Sequence, residues 1–189
     1  MAPRDAEVHV LFEGYTGDHT ASTVAFIGDG DARIVWDPGM VPSPGVIAEP
    51  LRRLGAGVED VTDVILSHHH PDHTLNVGMF PNARVHDHWA TYRGDLWVDR
   101  ECEGFDVSPN VRLARTPGHT TECLTVLAST VEGVTALTHL WWWADGPPED
   151  PYANDPRALH ESRERILDAA DIIVPGHGAM FRPGPATPR

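Results

Sequence analysis

Apolar residues along this chain come in short β-type runs rather than long helical stripes. The runs are EVHVLFEGY (7–15), STVAFIG (22–28), ARIVWDPG (32–39), DVILSH (63–68), ARVHDH (83–88), VRLARTPGH (111–119), CLTVLAST (123–130), GVTALTH (133–139) and DIIVPGHG (171–178). Most carry β-branched residues and are closed by Gly, Pro or a polar cluster, which reads as a strand. STVEGV (129–134) has the turn chemistry of a hairpin around Glu132-Gly133. Two segments read as helices. PGVIAEPLRRLG (44–55) is short and stops at Gly55. DPRALHESRERILDAAD (155–171) has Asp155 as N-cap, Pro156 at the first helical position, and Leu159, Ile166, Leu167 and Ala170 on one face. Many strands with few helices between them predict an α/β sandwich rather than a doubly wound sheet.

The pattern fills a single domain, residues 1–181. The Pro/Gly-rich remainder, 182–189, is expected to be a flexible tail, and GPPEDPYANDP (146–156) a long loop. At 189 residues, 41% of them hydrophobic, the chain can build a core of ordinary size. No apolar run approaches the ~18 residues of a membrane span, and the first residues lack the apolar stretch of a secretory signal. Cys102 and Cys123 are too few for a disulfide framework, which makes a reduced cytoplasm the expected location. The net charge of −14 repels phosphate backbones and argues against nucleic acid as a partner, although bound divalent cations would reverse the sign locally. In the main it is a solubility feature.

Chemistry is concentrated in ILSHHHPDHTLN (65–76), where four histidines and an aspartate fall between His68 and His73. Packing does not explain that density. At the end of an extended strand, residues two apart face the same way. His68 and His70 can therefore converge on one ion while His69 points elsewhere. Pro71 then turns the chain, so that Asp72 and His73 can aim at a second ion. Imidazole nitrogen with carboxylate oxygen suits zinc, and also iron or manganese. Each ion needs three or more ligands. The remaining candidates are His119 in RTPGHT, His139 in ALTHLW and His177 in IIVPGHG, all at strand ends. A single Pro-Gly-His is weak evidence, but two of them beside such a cluster are not.

Taken together, these motifs resemble the metallo-β-lactamase superfamily. His68-x-His70-x-Asp72-His73 is similar to its metal signature. TPGH with His119 and VPGHG with His177 resemble its later ligand motifs, and VWDPG with Asp37 its early strand element. The resemblance runs through nearly the whole chain in order, and its last third is similar to one group of small members that includes an RNA-processing protein. It implies an αββα sandwich, two mixed β-sheets flanked by helices, with metals at one edge. It implies His68, His70 and His119 on one ion and Asp72, His73 and His177 on the other. Asp37 would orient ligands without binding metal. The cofactors implied are two divalent ions, zinc foremost.

One position departs. Where the family usually carries an aspartate bridging both ions, the strand VTALT is followed by His139. A neutral imidazole has one free lone pair and cannot bridge as a carboxylate does. Three arrangements follow: His139 ligates one ion, it stands behind the ligands with one site weak, or a slipped register brings Asp145 into the role. Exchanging an anionic ligand for a neutral one raises the site's charge by one unit.

The expected enzyme is a metal-dependent hydrolase. A metal-held hydroxide would attack a small ester, thioester or lactone, with Asp72 orienting the nucleophile or moving its proton. A nuclease or phosphodiesterase is the alternative, and a non-catalytic metal or ligand binder the second. Trp141, Trp142 and Trp143 cannot share one face. They divide between core and surface, wall a substrate pocket together with His69, or serve a homodimer interface. His86 and His88 are expected at the surface or the pocket rim.

Overall fold

The computed structural model describes residues 5–189. Its twelve strands are β1 Glu7–Phe12, β2 Val24–Asp29, β3 Ala32–Trp36, β4 Asp63–Ile65, β5 Arg84–His86, β6 Ala90–Arg93, β7 Leu96–Asp99, β8 Asp106–Ser108, β9 Val111–Arg115, β10 Leu124–Thr130, β11 Gly133–Leu137 and β12 Ile172–Val174. The helices are α1 Gly45–Arg53, α2 Pro71–Thr74 and α3 Pro156–Ala169. One sheet has the order β1-β2-β3-β4-β5-β6-β7, the other β12-β11-β10-β9-β8. Both are mixed: β3–β4–β5 and β11–β12 pair in parallel, and the other neighbours are antiparallel.

Alternation along the strands sorts the side chains into three layers of core. Ile27, Ile34, Trp36 and Ile65 of the first sheet meet Leu113, Leu124, Val126, Leu137 and Val174 of the second. The opposite faces of the same strands, with Val24, Phe26, Val35 and Val64, pack on Ile47 and Leu51 of α1. Ala136 and Ile173 pack on Leu159 and Ile166 of α3. Strands buried on both faces read as continuous apolar runs, which is why β2, β3 and β12 stand out in the sequence. The architecture is the expected α/β sandwich.

Sequence reasoning missed β6, β7 and β8. All four residues of β7 are exposed, so no hydrophobic alternation marks it. The turn that makes the β6–β7 hairpin is marked only by Gly94, which has φ +60°. Pro71, expected to make a simple turn, instead opens the one-turn helix α2. Helix α3 begins as expected, with the Asp155 carboxylate accepting from Ala158 N at 3.0 Å. It also buries Arg163, whose guanidinium donates to the carbonyls of Leu140, Pro147 and Pro148 at 2.8 Å each. That side chain clasps the loop after β11. The stretch 182–189 touches the body through Trp141 Nε1, which donates to Pro188 O. Among the described residues no helix is long and apolar enough to cross a membrane.

Candidate metal centre

The histidines gather because five strands end at one edge of the sandwich. Parallel pairing of β3 with β4, Trp36 opposite Ile65, carries Asp37 alongside the Ser67-His68 segment. Parallel pairing of β11 with β12, Leu137 opposite Val174, brings His139 and His177 out together. The end of β9 delivers His119, and α2 turns Asp72 and His73 back toward the others. Two glycines make the close approaches possible. A Cβ on Gly39 would lie 1.6 Å from Asp72 O, and one on Gly176 would lie 2.4 Å from His139 Cδ2.

Hydrogen bonds from behind set which ring nitrogen faces inward. The His73 Nδ1–H donates to Asp37 Oδ2 at 2.7 Å, and the His119 Nδ1–H to Asp150 Oδ2 at 2.6 Å. The His177 Nδ1–H donates to Ala21 O at 2.9 Å. Ser67 gives its hydroxyl proton to Asp37 Oδ2 at 2.6 Å, so its oxygen accepts from His68 Nδ1 at 2.9 Å. In each case Nε2 is left toward the cluster, the arrangement that metal-ligating histidines require.

The inward nitrogens crowd one another. His68 Nε2 and His119 Nε2 lie 3.0 and 3.1 Å from His70 Nδ1. His177 Nε2 is 3.1 Å from His139 Nε2 and 3.5 Å from Asp72 Oδ2. His73 Nε2 and His139 Nδ1 are buried without a hydrogen bond. Lone pairs converging on one another, with orphaned polar atoms among them, fit one or more divalent cations better than a self-contained hydrogen-bond network. Two triads have their ligand atoms within 4.8 Å of each other: His68, His119 and His139, and His73, His139 and His177. His139 therefore sits where the two groups meet, its ring 4.2 Å from that of His119 and 4.7 Å from those of His68 and His73. Asp145 is exposed and lines no part of the cleft, so a slipped register does not supply a carboxylate.

Burial and mutual repulsion hold His68 and His139 well below the ordinary histidine range, and burial lowers His177 to about 4. His73 goes the other way. Burial opposes its charge, but Asp37 and Asp72 outweigh burial and raise it to about 9. Burial would raise Asp72, but His73 and His177 beside it hold its carboxyl down at about 2.

Above the cluster opens a cleft of about 610 Å³ lined by Thr16, Gly17, Thr20, Met40, His70, Pro71, Asp72, His119, His139, Trp142, Tyr152 and His177. Of the three tryptophans only Trp142 lines it. It stacks on Tyr152 with ring centroids 5.8 Å apart and planes within 5°. Trp141 is fully buried in the α3 core and Trp143 is exposed, so the three rings part company, although residues 141–143 lie in the loop after β11 rather than in a strand. His69 lies outside the cleft, bonded to Asp87 at 3.1 Å and stacked on Trp89. His86 is neither surface nor rim. It is buried between Asp63 and Thr91, at 2.7 and 3.0 Å.

The sequence reading overlooked Ser67, Asp150, Gly176 and the cleft residues Thr16, Thr20, Met40 and Tyr152. Ser67 was visible as a polar residue ending an apolar strand. Asp150 carried no spacing signal, because its loop is placed by tertiary contacts alone.

Comparison with known proteins bears on the family and the fold. The sequence model of the metallo-beta-lactamase superfamily matches residues 17–100. Metallo-beta-lactamase domain-containing protein 1 of Xenopus laevis is 30% identical over 190 residues, covering 93% of this chain and 81% of the relative. A candidate metallo-beta-lactamase of Thermotoga maritima superposes with a TM-score of 0.75 at 23% identity, over 95% of this chain and 100% of that one. An N-acyl homoserine lactone hydrolase, solved with N-hexanoyl-L-homoserine at its catalytic metal centre, gives a TM-score of 0.68 at 19% identity, covering 94% of both chains.

Proposed function

Because the chain belongs to the metallo-beta-lactamase superfamily, we propose that it is a metal-dependent hydrolase of a small, uncharged ester, thioester or lactone. The observation that carries this reading is the cleft's lining. It has one carboxylate, an aromatic wall and no arginine, and the chain has no lysine at all. Phosphate groups are usually met by Arg or Lys, so a polyanion would find only the metals to hold it. The lactone hydrolase with product at its metal centre shows that this fold accommodates such chemistry.

His68, His70 and His119 would hold one ion, and Asp72, His73 and His177 the other, with His139 beside both. Bound there, the ions supply Lewis-acid polarisation of the carbonyl and activation of water. The protein's own contribution is placement. Asp37, Ser67, Asp150 and Ala21 O fix the rings from behind. Trp142 and Tyr152 offer a flat apolar surface for the substrate's acyl or leaving arm. Asp72 is the carboxylate in reach of the cleft and is held anionic, which suits it to accept a hydrogen bond from the attacking water and orient it. Zinc is the ion this donor set fits best, with iron or manganese also compatible.

Assaying zinc-loaded protein on lactone, thioester, β-lactam and phosphodiester substrates tests the reading. Cleavage of lactones or thioesters alone is the expected result. Cleavage confined to phosphodiesters, with polyanions competing, would replace this reading with a nuclease. Zinc binding without turnover of any substrate would leave a metal binder.

Metal binding should also release a proton. His73 is charged in the metal-free protein up to about pH 9, and a ligand must be neutral. A raised value means that this proton stabilises the metal-free fold fully below the ordinary value of 6.5 and no longer does so above about 9. Zinc affinity should therefore rise about tenfold per pH unit across that window. Calorimetry in buffers of different ionisation enthalpy should find close to one proton released at pH 7.5. Zero would show that His73 is already neutral.

A further inference from the structure

Asp150 stands in the loop between β11 and α3, yet its side chain is buried. Its Oδ2 accepts from His119 Nδ1 at 2.6 Å and from Trp142 Nε1 at 3.3 Å, while Oδ1 accepts from Tyr152 N at 2.9 Å. One carboxylate thus touches a histidine of the cluster, the aromatic wall of the cleft and the backbone that carries the wall's second ring. The loop is anchored from below, where Arg163 holds the carbonyls of Pro147 and Pro148. Every partner of Asp150 is a donor, so the position needs an acceptor on both oxygens.

We infer that Asp150 is a positioning residue that couples this centre to the wall of its cleft: it holds His119 with Nε2 toward the other histidines and seats Trp142 beside that ring. The inference rests on the proposed metal site but not on its substrate. An amide cannot replace the carboxylate. Asparagine offers one acceptor, and its NH2 would face either His119 Nδ1–H or Tyr152 N–H, donor against donor. The ring would then be free to turn, or to carry its proton on the nitrogen meant for metal.

The test is competition for Zn2+ against a chromophoric chelator, with thermal unfolding of the metal-free proteins measured alongside. Asp150→Asn should bind zinc about 10- to 100-fold more weakly than the unsubstituted protein, the usual loss when a histidine's supporting carboxylate is removed. Trp142→Phe removes only the second donor and should leave zinc affinity within about threefold, because the His119 bond supplies the orientation. Two results overturn the inference. One is wild-type zinc affinity in Asp150→Asn with a lowered unfolding temperature, which would make the residue a loop staple. The other is an equal loss in Trp142→Phe, which would make the wall, not the carboxylate, the support. Neither result touches the hydrolase reading, which fails separately if the zinc-loaded wild type cleaves nothing.

Discussion

Replacing His119 with alanine should abolish hydrolysis and remove about one equivalent of bound zinc. The ring contributes an inward Nε2 to a cluster in which His70 Nδ1 is only 3.1 Å away. Asp150 sits behind the ring and cannot take its place, and His139, whose ring lies 4.2 Å away, already stands between the two groups. Loss of one of the few ligands proposed for that ion should leave it held far more weakly. A loss of about 10³-fold or more in kcat/KM is expected, because the proposed chemistry depends on the bound ions. Metal analysis by mass spectrometry and initial rates on the best substrate decide the matter. Full activity with normal zinc content in His119→Ala would sink the assignment of this site.

Asp37→Asn should cost both stability and metal. Asp37 is fully buried, and its two oxygens accept from Ser67 N, Ser67 Oγ and His73 Nδ1 at 2.7, 2.6 and 2.7 Å. It does this from φ +48°, a left-handed conformation that asparagine tolerates better than alanine, so the substitution changes chemistry more than backbone. The amide loses one acceptor, leaving a buried donor unpaired at a cost of about 1–3 kcal/mol, more if the ring stays charged. It also removes the charge that holds the proton on His73. Zinc affinity should fall about 10- to 100-fold, and its pH dependence between 7 and 9 should flatten. Urea unfolding in EDTA reads the first effect and zinc titration across pH the second. An unchanged pH slope would mean that Asp72 alone keeps His73 charged.

How far these features could be read without coordinates depends on how local each one is. His68, His70, Asp72 and His73 lie within six consecutive positions, and His69 parts from them toward Asp87 in the segment just beyond β4. His119 and His177 are marked by Pro-Gly at strand ends. Strands β2, β3, β4 and β12 advertise themselves because both faces are buried. Asp150 and Arg163 had no comparable signature. Each is meaningful only through partners brought together by folding: a histidine 31 positions away for one, and carbonyls 15 to 23 positions away for the other. His86 shows the opposite failure. It looks exposed by type and neighbours, but β5 lies between β4 and β6, and Asp63 on β4 supplies the partner that makes burial tolerable. His139 was correctly placed at a strand end, yet its position between two ligand groups follows only from the β11–β12 register.

The bond from His177 to Ala21 spans 156 residues. A growing polypeptide therefore carries most of its histidines out of the ribosome well before it can complete the cage, because β12 is the last strand to emerge. The early cluster 68–73 has at that stage neither His119 nor His177 beside it. An ion held by the full cage of the proposed site would therefore follow from finished folding rather than nucleate it.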